Sequence, residues 1–135
     1  MKAADYGRYV ACFNACDYAG LHDFFADDVS LQVNGYEMRG KKGISDFYDF
    51  FHDHVRETVM LRRFIEGDGL DFAHVVIRFE GLRELTAQEL AGRGYAKMTP
   101  VPAGVSVELD FFITYESRNG KVAAIRCAVF EPPAP

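Results

Sequence analysis

The stretch from Arg8 to Leu31, RYVACFNACDYAGLHDFFADDVSL, constrains this chain more than any other. Tyr6, Tyr9, Val10, Phe13 and Cys16 recur at helical spacing and make one apolar stripe. Asp17 ends that helix and is placed to cap a second, short one whose apolar side is Leu21, Phe24 and Phe25. Asp27-Asp28 breaks the second helix. Val29, Leu31 and Val33 then alternate with Ser30, Gln32 and Asn34, the pattern of a half-buried strand.

Asn34-Gly35 between Val33 and Tyr36 is a two-residue hairpin signal, which puts Val33 and Tyr36 on one face as cross-strand partners. Gly40 ends the ribbon. Ile44, Phe47, Tyr48, Phe51 and Val55 predict a long amphipathic helix with Asp46, Asp49 and Asp53 on its wet side. Strands are expected over 58–65, 72–80, 105–116 and 122–130, with turns at Gly67-Asp68-Gly69 and Arg118-Asn119-Gly120-Lys121 and a stop at Pro132-Pro133. The stretch from Gly81 to Gly104 is too long for a hairpin. LRELTAQELAG within it suits a short helix with Leu82, Leu85 and Leu90 as its apolar residues, and the whole segment reads as either a lid or a surface insertion.

Taken together, 135 residues make one domain, residues 1–135, of α+β class: a curved antiparallel sheet, cone-shaped, wrapped around helices. A net charge of −5 with no basic stripe argues against nucleic acid. No run is long and apolar enough to span a bilayer, and the first residues lack the apolar core of a signal peptide. Cys12, Cys16 and Cys127 are odd in number and match no zinc or redox spacing, so the expectation is a reduced, cytoplasmic protein. His52-Asp53-His54 is too closely spaced for two ligands on one helix face, so no metal is expected. Seven Tyr and twelve Phe without a Trp point to an aromatic interior.

The opening RYV-x3-N-x2-D-x2-G-x4-FADD and the closing NGKVAAIR resemble the nuclear transport factor 2-like superfamily, which includes ketosteroid isomerases, SnoaL-type polyketide cyclases and limonene epoxide hydrolases. The resemblance covers nearly the whole chain. It implies a pocket between helices and sheet, a small apolar ligand and no cofactor. Tyr9 matches the first-helix tyrosine that donates to the substrate oxyanion in ketosteroid isomerases. Their base aspartate falls on Val33 and their second oxyanion donor on Ile113. Arg78-Phe79-Glu80 is similar to the Arg-x-Asp of limonene epoxide hydrolases, while their base carboxylate, and the acid of SnoaL-type cyclases, fall on Cys127.

The expected pocket is therefore apolar with a polar end. Phe13, Val33, Phe47, Phe51, Phe111, Ile113, Ile125 and Val129 form its walls, with Cys127 as a small neighbour. Tyr9, Tyr36, His54, His74, Arg78, Glu80 and Tyr115 are its polar candidates; Tyr9, His74, Arg78 and Glu80 carry the expected catalysis. Alternation places Glu108 and Asp110 on the outer face beside Arg126. Val75, Ile77, Phe79, Phe112 and Ala128 are expected to form an outer apolar patch covered in a homodimer. Two functions follow: an acid–base enzyme on an apolar carbonyl, polyketide or terpenoid compound, or a ligand-binding or interaction module without chemistry.

Overall fold

The computed structural model describes residues 1–130. Pro132-Pro133 lie outside the described residues. The opening folds largely as its pattern dictates. Helix α1 spans Ala3–Asn14 and buries Tyr6, Tyr9 and Phe13. Asp17 caps α2, Tyr18–His22, by accepting from the Gly20 N–H at 2.9 Å. Gly20 is required there, since a Cβ would stand 2.4 Å from the Asp17 carboxylate. Strand β1, Phe25–Val33, turns through Asn34 and Gly35, both at positive φ, into β2, Tyr36–Arg39, with Val33 opposite Tyr36. Helix α3, Gly40–His54, follows with Ile44, Phe47 and Phe50 inward.

The remaining strands are β3, Val55–Ile65; β4, Leu70–Gly81; β5, Ser106–Arg118; and β6, Lys121–Phe130. One six-stranded sheet runs in the order β2-β1-β6-β5-β4-β3. It is curved and unclosed, with bulges at Leu61/Arg63 and Glu116/Ser117 that sharpen its bend. Asn14 at the end of α1 clamps onto it. The Asn14 amide donates to the Val59 carbonyl at 3.0 Å and its oxygen accepts from the Val59 N–H at 2.8 Å. Asp71, 1% exposed, takes the Met1 α-amine at 2.6 Å and the Gly67 N–H at 3.0 Å.

Four expectations change. The sheet is not wholly antiparallel: β1 and β6 pair in parallel, with Leu31 opposite Ile125. Residues 34–120 separate those strands, so their relative direction is a tertiary fact. Asp27-Asp28 lies inside β1 rather than breaking the chain, because both carboxylates point to solvent there. Val55 opens β3 instead of closing α3. Within 81–104 only α4, Ala87–Gly92, is helical, under a capping box from Thr86 and Glu89. Leu85 and Leu90 are fully buried, but Leu82 is 52% exposed.

The largest correction concerns β4. His74, Val76, Arg78 and Glu80 lie on the outer face, and Val75, Ile77 and Phe79 on the inner one. The β4–β5 register forces this: Ile77 pairs with Leu109 and Arg78 with Glu108, so β4 shares the inward set of β5. His74 Nε2 meets Asp110 Oδ1 at 2.8 Å, and Arg78 Nη2 meets Glu108 Oε1 at 3.0 Å. Asp110 is therefore outward as expected, but its partner is His74, not Arg126. Of the expected outer patch only Phe112 and Ala128 remain. They join Phe72, stacked on Phe112 at 5.6 Å, and Phe130, edge-on to it at 5.1 Å.

Candidate functional site

The concave face of the sheet and the helices enclose a cavity of about 560 Å³. That volume suits a small organic ligand. Phe13 from α1, Phe47 and Phe51 from α3, Val33 from β1, and Ile113 and Cys127 from the central strands all line it, as their patterns predict. Tyr9 and Tyr115 line it too. Tyr36 does not; its hydroxyl accepts the Lys97 N–H at 2.8 Å and its ring packs edge-on to Tyr95. His54 is buried outside the cavity, with Nδ1 against the Phe50 carbonyl at 3.1 Å and Nε2 near Arg83. His74, Arg78 and Glu80 face away from it.

Residues 97–102 form the rim, so the 81–104 segment is a wall of the cavity. It is tied down by paired backbone hydrogen bonds between Leu85 and Val101, at 2.9 and 3.0 Å. Val105 and Val107 line the cavity and are also solvent-exposed, which marks its apolar mouth.

At one end sits a cluster of phenols. Tyr6 Oη and Tyr115 Oη are 2.9 Å apart, and the Tyr9 ring meets Tyr115 edge-on. Burial pushes Tyr6 up to about 12 and Tyr9, Tyr48 and Tyr115 well above the ordinary phenol value. All four remain hydrogen-bond donors at neutral pH. Burial, and then the negative charge of Glu57, pushes the Cys127 thiol up to about 12, so it stays protonated and unreactive.

The residue that sequence reasoning missed is Glu57. Among the described residues it is the one carboxylate on the cavity wall, with a side chain only 8% exposed. Its Oε1 lies 3.3 Å from His52 Nε2, and His52 Nδ1 lies 2.6 Å from Tyr18 Oη. Among the described residues Oε2 has no hydrogen-bond partner, and Glu57 lines the cavity. The signal was present: Val55, Glu57 and Val59 alternate on one face. The expected strand began at Thr58, one residue too late to include it. His52 was visible only as half of a poor metal motif. Among the described residues no three His, Cys, Asp or Glu converge as metal ligands.

The sequence profile of the SnoaL-like domain matches residues 6–125. A comparison with curated proteins gives no match. Among solved structures, a proposed polyketide cyclase from Pseudomonas putida KT2440 superposes with a TM-score of 0.75 at 18% identity, over 91% of this chain and 86% of that one. A protein of ketosteroid isomerase-like fold from Catenulispora acidiphila DSM 44928, in complex with trimethylamine, gives 0.71 at 11% identity, over 95% and 86%. A Mycobacterium tuberculosis protein in complex with estradiol-17beta-hemisuccinate gives 0.66 at 19% identity, over 90% and 88%. At these identities the likeness is one of fold.

Proposed function

Because the chain belongs to the SnoaL-like domain family, we propose that it is a cofactor-free acid–base enzyme acting on a small apolar carbonyl compound of polyketide or terpenoid kind. The observation that carries this reading is Glu57, among the described residues the one carboxylate in the wall of an apolar cavity, with one oxygen unpaired there. In the proposed step Glu57 Oε2 takes a proton from the carbon next to the carbonyl. The C–H electron pair moves to the carbonyl oxygen, and the resulting enolate is met by the hydroxyl of Tyr9 or Tyr48. Return of the proton to a different carbon completes an isomerisation; attack of the enolate carbon on a second carbonyl of the same molecule, whose oxygen then takes the proton from Glu57, completes a cyclisation. Phenols held neutral in an apolar wall are effective donors there, because little water competes. Arg78, Glu80 and His74, expected in this role from sequence, face away from the cavity, so Glu57 takes over the base.

The test is hydrogen–deuterium exchange at the α-carbon of 2-tetralone in D₂O, followed by NMR. Wild-type protein is expected to accelerate exchange, and Glu57→Gln to lower the rate ~100-fold to ~10,000-fold without loss of binding. Glu80→Gln is expected to change nothing. Exchange that persists in Glu57→Gln refutes the assignment. The second reading, a binding module without chemistry, is supported by the apolar Val33 and Ile113 on the cavity wall where isomerases carry acids; it predicts binding of tetralone with no exchange.

We further propose a homodimer through the outer sheet face, with Phe72, Phe112 and Phe130 at its centre, and a cytoplasmic location in keeping with three free cysteines. No helix among the described residues is long and apolar enough to cross a membrane.

A further inference from the structure

We propose that Tyr18 and His52 are positioning residues for Glu57, forming a relay from α2 through α3 to β3 that ties down one carboxylate oxygen and leaves the other free for the substrate. This inference rests on Glu57 being the base, and extends that reading to two residues that do not touch substrate.

The geometry is closed on every side. Tyr18 Oη stands 2.6 Å from His52 Nδ1, and His52 Nε2 stands 3.3 Å from Glu57 Oε1. The His52 side chain is 6% exposed. Its ring lies parallel to Tyr48 at 4.9 Å and to Tyr18 at 5.9 Å, and Phe13 meets it edge-on at 5.5 Å. Stacking on Tyr48 and the edge of Phe13 fix the plane of the ring. In that plane its two nitrogens face Tyr18 and Glu57.

The hydrogen-bond network also assigns the tautomer. Burial pushes the Tyr18 phenol up, so it keeps its proton; of the two acceptors within reach, His52 Nδ1 at 2.6 Å and the Tyr48 carbonyl at 3.4 Å, the closer one takes it. Nε2 then carries the imidazole proton and donates it to Glu57 Oε1. The titratable and charged groups around His52 are Cys16 and Tyr18 beside α2, Tyr48 and Asp49 on α3, and Glu57 on β3. Among the described residues no Lys or Arg pairs with Glu57, so His52 is its sole donor. A carboxylate oxygen held by one fixed N–H donor keeps its direction. A base misplaced by about 1 Å loses on the order of 100-fold in rate.

Two variants separate positioning from bulk structure. His52→Phe keeps a stacked ring and removes the N–H; His52→Gln keeps an N–H donor. In the 2-tetralone exchange assay His52→Phe is expected to lower kcat ~10-fold to ~100-fold at nearly constant KM. The acid limb of its pH profile is expected to move to higher pH, because the carboxylate loses its donor. His52→Gln is expected to recover most of the rate. In parallel, ¹⁵N NMR of the wild type at pH 7 is expected to show His52 as the Nε2–H tautomer, and Tyr18→Phe to lose that preference. A wild-type kcat and pH profile in His52→Phe overturns the proposal, as does an Nδ1–H tautomer or an imidazolium at pH 7. If the wild type shows no exchange, the enzymatic reading fails, and the tautomer alone decides whether the relay exists.

Discussion

The carboxylate of Glu57, the one such group among the described residues of an apolar wall, makes the cavity selective by charge. A sphere of about 560 Å³ has a radius of roughly 5 Å, so the polar end of any enclosed ligand lies ~5 to ~10 Å from Glu57. At an effective dielectric constant of ~20, two like charges at that range repel by ~1.7 to ~3.3 kcal/mol, or roughly 20-fold to 250-fold in affinity. The phenols add no charge, since burial keeps them protonated. Among the described residues Lys97 is the one cation lining the cavity, and it belongs to the rim. The comparison is 2-acetylnaphthalene against 2-naphthoic acid, which share a ring and differ in charge, by titration calorimetry at pH 7. Wild-type protein is expected to prefer the ketone by at least ~20-fold beyond any difference in solvation. Glu57→Gln is expected to narrow the gap to within a few-fold. Equal binding of acid and ketone by the wild type, or a gap that survives Glu57→Gln, refutes the reasoning.

Stability should fall on the alkaline side. Cys127, Tyr6, Tyr9, Tyr48 and Tyr115 hold their protons in the fold beyond the values at which the unfolded chain releases them, 9.0 for the thiol and 10.0 for the phenols. The native state therefore binds more protons above about pH 9, and stability present below it is lost by ~1.4 kcal/mol per pH unit for each retained proton; urea midpoints from pH 7 to 11 measure it. Leu90→Ala, at a fully buried position of α4, should cost ~2 to ~5 kcal/mol. An unchanged thermal midpoint would mean that the 81–104 segment unfolds independently of the sheet. Sedimentation should show a dimer that Phe112→Glu converts to monomer, and a wild-type monomer at micromolar concentration would remove the outer-face interface.

Local chemistry was legible in the chain. Asp17 at a helix start, Asn34-Gly35 between alternating strands, and Asn119-Gly120 before the last strand each act over a few residues, and each folds as its type requires. So did the inward set Val105, Val107, Leu109, Phe111, Ile113 and Tyr115, because one face of β5 is plainly more apolar. On β4 both alternating sets carry apolar residues. Period-two alternation tells which residues share a face, never which face is inside. The pairing of Ile77 with Leu109 decided it, and turned His74, Arg78 and Glu80 outward. The same limit hid the base. Glu57, His52 and Tyr18 are separate in sequence, and none is unusual alone. Only the placing of α2 beside α3 and of α3 against β3 brings a phenol, an imidazole and a carboxylate into line. Short-range sterics and hydrogen bonding act between chain neighbours and leave their mark in the sequence; a site assembled from three elements exists only once long-range packing has chosen their faces.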